Sequence, residues 1–368
     1  MNLHEDRNAF IALMNSIHEK TGYRMDVLEK DYYVVLILYE LSDMQKDGLP
    51  AYFKGGTALY KALHTTRRFS EDIDLSVDSR GCSRSQNDRR LERATKKYKS
   101  LVRNPEEGKT NRSEVISIYE YSPAVSHDVN DALQRFGKLK IEATSFTISE
   151  PVEELTVTPM IYDLADDGYR QILENRYGVK PFSVQTISME RIFIDKIFAA
   201  ESYVRKSEDS HRAFEAAKHI YDLSVLQDEE RINELIIDQD KLHYLLEIRL
   251  QEEKERLDGV PGVAPKDFIL FSQTGGNSHV RQAYEIMQRQ YVFREEDRIP
   301  YEIAIDILEK LGRILKKCPA WMESADKNSA VEAFEKVEKA FEGAAKEAGF
   351  NNEGEMQEYM KAMRKEGR

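Results

Sequence analysis

Two short stretches decide how this chain is read: Phe53-Lys54-Gly55-Gly56-Thr57-Ala58-Leu59 and, a little downstream, Arg68-Phe69-Ser70-Glu71-Asp72-Ile73-Asp74-Leu75. In the first, Ala51–Lys54 has the character of a short strand. Gly48 and Pro50 cut it off from the helical pattern before it. The strand runs into Gly55-Gly56, and a helix is expected from Thr57 to His64. Glycines let a backbone approach a ligand closely, and a helix start offers free N–H groups to phosphate. Thr57 adds a hydroxyl or caps the helix. A plain strand-to-helix turn would use the same residues.

In the second stretch, Ile73–Val77 reads as a strand. Asp72 and Asp74 are two residues apart, so on a strand they face the same side. Two carboxylates held together call for a cation, and a hard ion such as Mg²⁺ prefers oxygen ligands. Metals bridged by such carboxylates can activate a hydroxyl and stabilise a leaving pyrophosphate. A solvated Asp-x-Asp on an exposed strand would look no different.

Working outward, residues 5–47 form two helices by the recurrence of Val27, Leu28, Tyr32, Val35, Leu36 and Tyr39. A helix is expected over Ser83–Val102. Strands are expected over Val115–Tyr121 and Leu139–Ile148, with a weaker one over Leu155–Tyr162. Asp163–Gly178 reads as a polar connector. After Ser188 helical periodicity dominates, and the Ala-, Glu- and Lys-rich tail from Asn328 reads as one or two solvated helices. The chain is therefore expected to be α+β, with an α+β domain over 1–187 and an α-helical domain over 188–368.

Composition narrows the class. The 368 residues are 33% charged and 41% hydrophobic, an ordinary soluble balance. The longest apolar run, Tyr32–Tyr39, falls far short of the ~20 residues a bilayer requires. The charged start, Met1–Arg7, lacks a signal-peptide core. Cys82 and Cys318 have no partners at metal-ligand spacing. A cytoplasmic protein with no membrane partner is expected. The net charge of −12 argues against indiscriminate nucleic-acid binding. However, Arg84, Arg89, Arg90, Arg93, Lys96, Lys97, Lys99 and Arg103 crowd one segment against only Asp88 and Glu92. Such a stripe suits an RNA backbone or simply solvates a helix.

A strand, a Gly-Gly turn, a short helix and a strand bearing Asp-x-Asp follow one another here as in nucleotidyltransferases related to DNA polymerase β. The wording of both stretches resembles the AbiEii/AbiGii toxin family, which includes the MenT toxins. The resemblance spans roughly residues 27–227 and implies a polymerase-β-like domain with a mixed β-sheet and a toxin of a toxin–antitoxin or abortive-infection system. It implies transfer of a nucleoside monophosphate from an NTP, with Mg²⁺ or Mn²⁺, to an RNA acceptor, first of all the 3′ end of tRNA. A cognate antitoxin protein is the implied partner.

The same resemblance implies site residues. Asp72 and Asp74 would hold metal, and Gly55, Gly56, Thr57, Arg68 and Ser70 would contact nucleotide. Ser70 could itself be modified by a phosphoryl or nucleotidyl group. Met189–Ala200 fits the family's lysine helix, so Lys196 would contact the triphosphate as a point charge. Lys218-His219-Ile220-Tyr221-Asp222-Leu223 matches an acidic motif through Asp222, but His219 replaces its first acid. Taken on its own, Asp222 could equally be a surface acid pairing with Lys218. A third carboxylate is offered by Glu142 within Lys138–Ala143, unless Lys140 and Glu142 both merely face solvent. Two other functions remain open: a small-molecule, antibiotic-type nucleotidyltransferase, and a non-catalytic nucleotide- or partner-binding module.

Overall fold

The computed structural model describes residues 1–64, 67–126, 136–254 and 259–323. The strands are β1 (Ala51–Lys54), β2 (Ile73–Val77), β3 (Val102–Thr110), β4 (Glu114–Glu120), β5 (Lys138–Thr144), β6 (Val152–Val157) and β7 (Phe182–Ile187). They form one mixed sheet in the order β3-β4-β5-β2-β1-β7-β6. β2 pairs parallel with β5 and β1 parallel with β7, while the other neighbours are antiparallel. The α+β expectation with a mixed sheet agrees with this arrangement.

Helices α1 (Arg7–Thr21) and α2 (Met25–Lys46) precede the sheet. Helices α3 (Gly55–Lys61), α4 (Arg84–Lys96), α5 (Met160–Asp163) and α6 (Asp167–Tyr177) lie among the strands. After Ile187 the described chain carries only helices: α7 (Met189–Arg205), α8 (Ser210–Leu226), α9 (Glu230–Ile237), α10 (Gln239–Glu253), α11 (Ser278–Tyr291), α12 (Tyr301–Leu315) and α13 (Pro319–Glu323), with short 3-10 turns between. One hydrophobic cluster runs from Leu3 through the sheet to Trp321. The tail helices expected from Asn328 lie outside the described residues.

Helix α2 is unusual in burying charge. Its first turns place Asp26, Glu29, Lys30 and Asp31 inside the protein. Buried charges are tolerated only when paired, and these are. Glu29 accepts from the amides of Ala124 and Val125. The Lys30 ammonium stands 3.2 Å from the Glu71 carboxylate and also donates to the Lys138 carbonyl. Asp31 pairs with Lys61 at 2.8 Å and accepts from the Met160 amide at 2.6 Å. Helix α2 thus clamps both α3 and the Ser70–Asp74 run.

Four expectations are corrected. The helix begun by the Ser83–Gln86 capping box stops at Lys96 rather than Val102. The following Val102–Thr110 is an edge strand interrupted by a bulge between Asn104 and Lys109. Its Val-Arg-Asn-Pro-Glu-Glu-Gly-Lys-Thr wording has no alternation, and Pro105 is tolerated because edge strands leave N–H groups unused. Basic residues 97, 99 and 103 therefore leave the helix that carries the others. Asp163–Gly178 is not a connector. Asp166 caps α6 by accepting from the Tyr169 amide, and Gly178 closes it at φ 63°. Its apolar face is thin, with Leu173 and Tyr177 its buried residues. The strand read over Leu155–Tyr162 ends at Val157 and gives way to α5. Finally, β7 alternates Phe182, Val184 and Thr186 inward, a pattern that marks a strand and was not among the expected elements.

Candidate active site

Strand register builds a charged patch on one face of the sheet. Lys54 lies opposite Asp74 across β1 and β2, and Glu142 lies opposite Asp74 across β2 and β5. Lys140 precedes Glu142 by two residues, as Asp72 precedes Asp74, so all share a face. Phe53, Ile73, Leu75, Leu139, Ile141 and Ala143 fill the other, fully buried face. The Lys140 ammonium sits 3.4 Å from the Asp72 carboxylate and 3.1 Å from that of Glu142. Lys54 donates to the Thr144 hydroxyl at 3.0 Å. Burial, with Glu142 and Asp72 nearby, pushes the Asp74 carboxyl up to about 6. Burial would lower the Lys140 ammonium, but Asp72, Glu142 and Asp74 outweigh it and raise it.

The glycine turn presses against this patch. Gly55 has φ 79°, and a Cβ there would come within 2.2 Å of Asp74 Oδ2. A Cβ on Gly56 would come within 2.7 Å of Arg68 Nη2 and 3.0 Å of Ser70 Oγ. Both positions therefore need glycine, Gly55 for conformation and both for close approach. The fully buried Thr57 donates to Ser70 Oγ at 2.9 Å and contacts the Asp72 carbonyl. It ties the start of α3 to the acidic run.

On the far side of Gly56 stands a buried charge triad. Arg68 donates through Nε and Nη2 to the two oxygens of Asp222, both at 2.7 Å. Lys196 lies 2.7 Å from Asp222 Oδ2. None of the three exceeds 5% exposure, so Asp222 is no surface acid. Lys218 pairs instead with Glu215 at 2.8 Å. Burial works against the Asp222 charge, yet Arg68 and Lys196 hold its carboxyl below the ordinary value. Burial lowers the Lys196 ammonium despite Asp222, while Asp74 lies close enough to support its charge. The backbone beside Arg68 is tied to the end of α11, since the Phe69 amide donates to the Tyr291 carbonyl at 2.7 Å. The residues singled out from the sequence thus surround one turn. Asp72, Asp74 and Glu142 lie on the sheet side, with Arg68, Ser70, Lys196 and Asp222 on the helical side.

The chain matches, over residues 36–321, the family described as nucleotidyl transferase AbiEii toxin of type IV toxin–antitoxin systems. The chain belongs to the AbiEii family. It is thereby a member of a nucleotidyl transferase toxin family, and a type IV system implies an antitoxin partner. A crystal structure of JHP933 from Helicobacter pylori aligns with 14% identity, covering 85% of this chain and 99% of that one, at a TM-score of 0.37. No curated protein matches. No helix among the described residues is long and apolar enough to cross a membrane.

Within this AbiEii chain the sheet-face carboxylates suit a hard divalent cation in donor chemistry, all three offering oxygen. The Asp74 carboxyl is raised by burial first, and then by Glu142 and Asp72, against the opposing pull of Lys140 and Lys54. Yet among the described residues no three carboxylate, histidine or cysteine side chains already converge at metal-holding distance. The Lys140 ammonium stands among them instead.

Several contributing residues escaped sequence reading. Lys140 was expected to face solvent if Glu142 did, but it is half-buried against two acids. Lys30, Glu71, Asp31 and Lys61 form the support behind the turn. Asp195 pairs with Arg191 at 3.1 Å and Arg249 at 3.3 Å. Its carboxyl lies below the ordinary value because these cations and Lys54 outweigh burial. The only available signal was charge at positions that a helical apolar stripe should occupy. His219 stacks flat on Tyr203 with ring centroids 5.5 Å apart. The position where the family wording has an acid is therefore a packing position on α8 here.

Proposed function

We propose that this chain is a Mg²⁺- or Mn²⁺-dependent toxin that transfers a nucleoside monophosphate from an NTP to an RNA acceptor, the 3′ end of tRNA being the first candidate. The observation that carries the proposal is the placing of Asp72, Asp74 and Glu142 on one side of the Gly55-Gly56 turn and of Arg68 and Lys196 on the other. Residues 1–187 would form the polymerase-β-like unit, and residues 188–368 the helical unit that lends Lys196 and Asp222.

The arrangement supplies what such a transfer requires. The acceptor hydroxyl attacks the α-phosphorus, its oxygen–phosphorus bond forms, and the bond to the bridging oxygen of the departing pyrophosphate breaks. Gly55 and Gly56 let Asp74 on one side, and Arg68 and Ser70 on the other, stand directly against the backbone at the start of α3. Two cations share one carboxylate in the triad, so Arg68 and Lys196 carry a net positive charge toward a polyphosphate. Asp72, Asp74 and Glu142 would hold the metal. When bound, the metal would lower the pKa of the attacking hydroxyl and neutralise charge on the leaving group. The protein's own part is positioning and fixed charge.

Incubation with labelled NTPs, Mg²⁺ and total cellular RNA tests this. Label is expected in tRNA and is expected to disappear with Asp72→Ala. Label in a small molecule would favour the antibiotic-type reading. NTP binding without transfer would favour a binding module. Either result overturns the proposal.

A further inference from the structure

We infer that Lys140 is a built-in occupant of the carboxylate site, which holds the acids together before metal arrives and must be displaced for metal to bind. The inference rests on the metal-site reading above. It begins with the register of β2 and β5. Ile73 pairs with Ile141 and Asp74 with Glu142. The same parallel step sets Lys140 beside Asp72 and aims its ammonium across the face toward Glu142. The separations, 3.4 Å to Asp72 Oδ2 and 3.1 Å to Glu142 Oε2, are those of a shared ion pair.

The other charged groups facing this spot explain why a cation must sit there. Asp74, between Asp72 and Glu142, adds a third carboxylate. Lys54, opposite Asp74 on β1, adds one ammonium, but its Nζ is engaged by Thr144 at 3.0 Å. Without Lys140, Asp72 and Glu142 would lose the ammonium they share, beside a third carboxylate, Asp74, and with Lys196 tied to Asp222 at 2.7 Å. Such like-charge crowding is costly. With Lys140 present, the acids spread around an ammonium and do not converge on a metal.

A consequence follows for binding order. A divalent ion entering alone must break the ammonium's ion pairs with Asp72 and Glu142 and leave it only solvent in exchange. An ion arriving with a polyphosphate brings new anionic oxygens for that ammonium. Lys140, with its side chain 27% exposed, has solvent on one side through which to swing. Metal alone is therefore bound weakly, and metal with a polyphosphate is bound well.

The test is binding of Mn²⁺, followed by the electron paramagnetic resonance of the free ion, on the full chain at low ionic strength. Removing one like charge at contact distance is expected to tighten Mn²⁺ binding about tenfold in Lys140→Met. Lys140→Gln, which retains a polar stem, must move the same way, so a folding failure of one variant does not decide the matter. Lys140→Arg is expected to stay near wild type. Unchanged or weaker Mn²⁺ binding in both neutral variants overturns the inference. Asp74→Asn separates this from failure of the metal reading: if it binds Mn²⁺ as wild type does, the site itself is wrongly assigned, whatever Lys140 does.

Discussion

Arg68 and Asp222, separated by 154 positions, meet in a fully buried two-point contact with both hydrogen bonds at 2.7 Å. One partner stands two residues before Ser70, at the start of the acidic run, and the other on α8. The contact locks the helical half of the chain onto the sheet half at the glycine turn.

Removing the acid leaves two cations buried without their counter-ion, since Lys196 shares the same oxygen at 2.7 Å. Breaking a buried pair in this way costs about 3–5 kcal/mol. Asp222→Ala is therefore expected to shift the urea midpoint strongly downward. Arg68→Met combined with Asp222→Leu is expected to cost less than the sum of the single changes. Additive costs would show that the contact is not coupled.

Gly55 and Gly22 form a matched pair for a second measurement. Both have left-handed backbones, φ 79° and 76°. A Cβ on Gly22 meets nothing within 4 Å, whereas one on Gly55 meets Asp74 Oδ2 at 2.2 Å. Gly22→Ala is expected to cost only the conformational term, about 1–2 kcal/mol. Gly55→Ala is expected to cost clearly more and to abolish nucleotidyl transfer. Equal costs in denaturant would mean that Asp74 yields freely.

Stability should depend on pH through Asp74. Its folded carboxyl is raised to about 6, above the ordinary 3.8, by burial first and then by Glu142 and Asp72. The folded state then holds a proton that the unfolded state has released. The stabilising contribution is complete below about pH 4 and is lost as pH rises through about 6. Asp74→Asn cannot lose it. The stability gained by Asp74→Asn over wild type, measured without divalent ions, is expected to be larger at pH 8 than at pH 5. A gain independent of pH would contradict the assignment.

Helix α4 offers a test of RNA contact. Arg84 and Arg89 are exposed and Arg93 is partly so, while Arg90 is engaged by the Asp78 carbonyl at 2.6 Å. Replacing Arg84, Arg89 and Arg93 by alanine should leave stability within about 1 kcal/mol. If α4 contacts the acceptor, affinity for RNA falls and its salt dependence flattens. Unchanged salt dependence would remove α4 from the acceptor surface.

Much of this was legible in the residue order, and the reasons differ by element. The acids Asp72 and Asp74 announce themselves because strand geometry makes position i+2 a neighbour. Gly55 and Gly56 announce the turn because no other residue tolerates that backbone and that crowding. The family wording around Lys196 and Asp222 located residues whose partners no local pattern reveals, since Arg68 lies on a distant segment. What stayed hidden is charge in apolar places. Lys30, Asp31 and Glu71 look like surface residues until the fold pairs them. Lys140 likewise looks like the outward half of an alternating strand until β2 is set beside β5. The edge strand Val102–Thr110 was illegible for the opposite reason. It has little to bury, so it carries no periodicity.

The contact between Arg68 and Asp222 also sets a timetable. A polypeptide leaves the ribosome from its first residue onward, and the glycine turn, the acids and Arg68 emerge early. Lys196 and Asp222 come more than a hundred residues later. A half-made chain carries the carboxylates, yet it lacks Lys196 and Asp222, the groups that meet Arg68 beside the glycine turn. For a member of a toxin family, the order of synthesis thus keeps the complete site from existing until α8 has emerged.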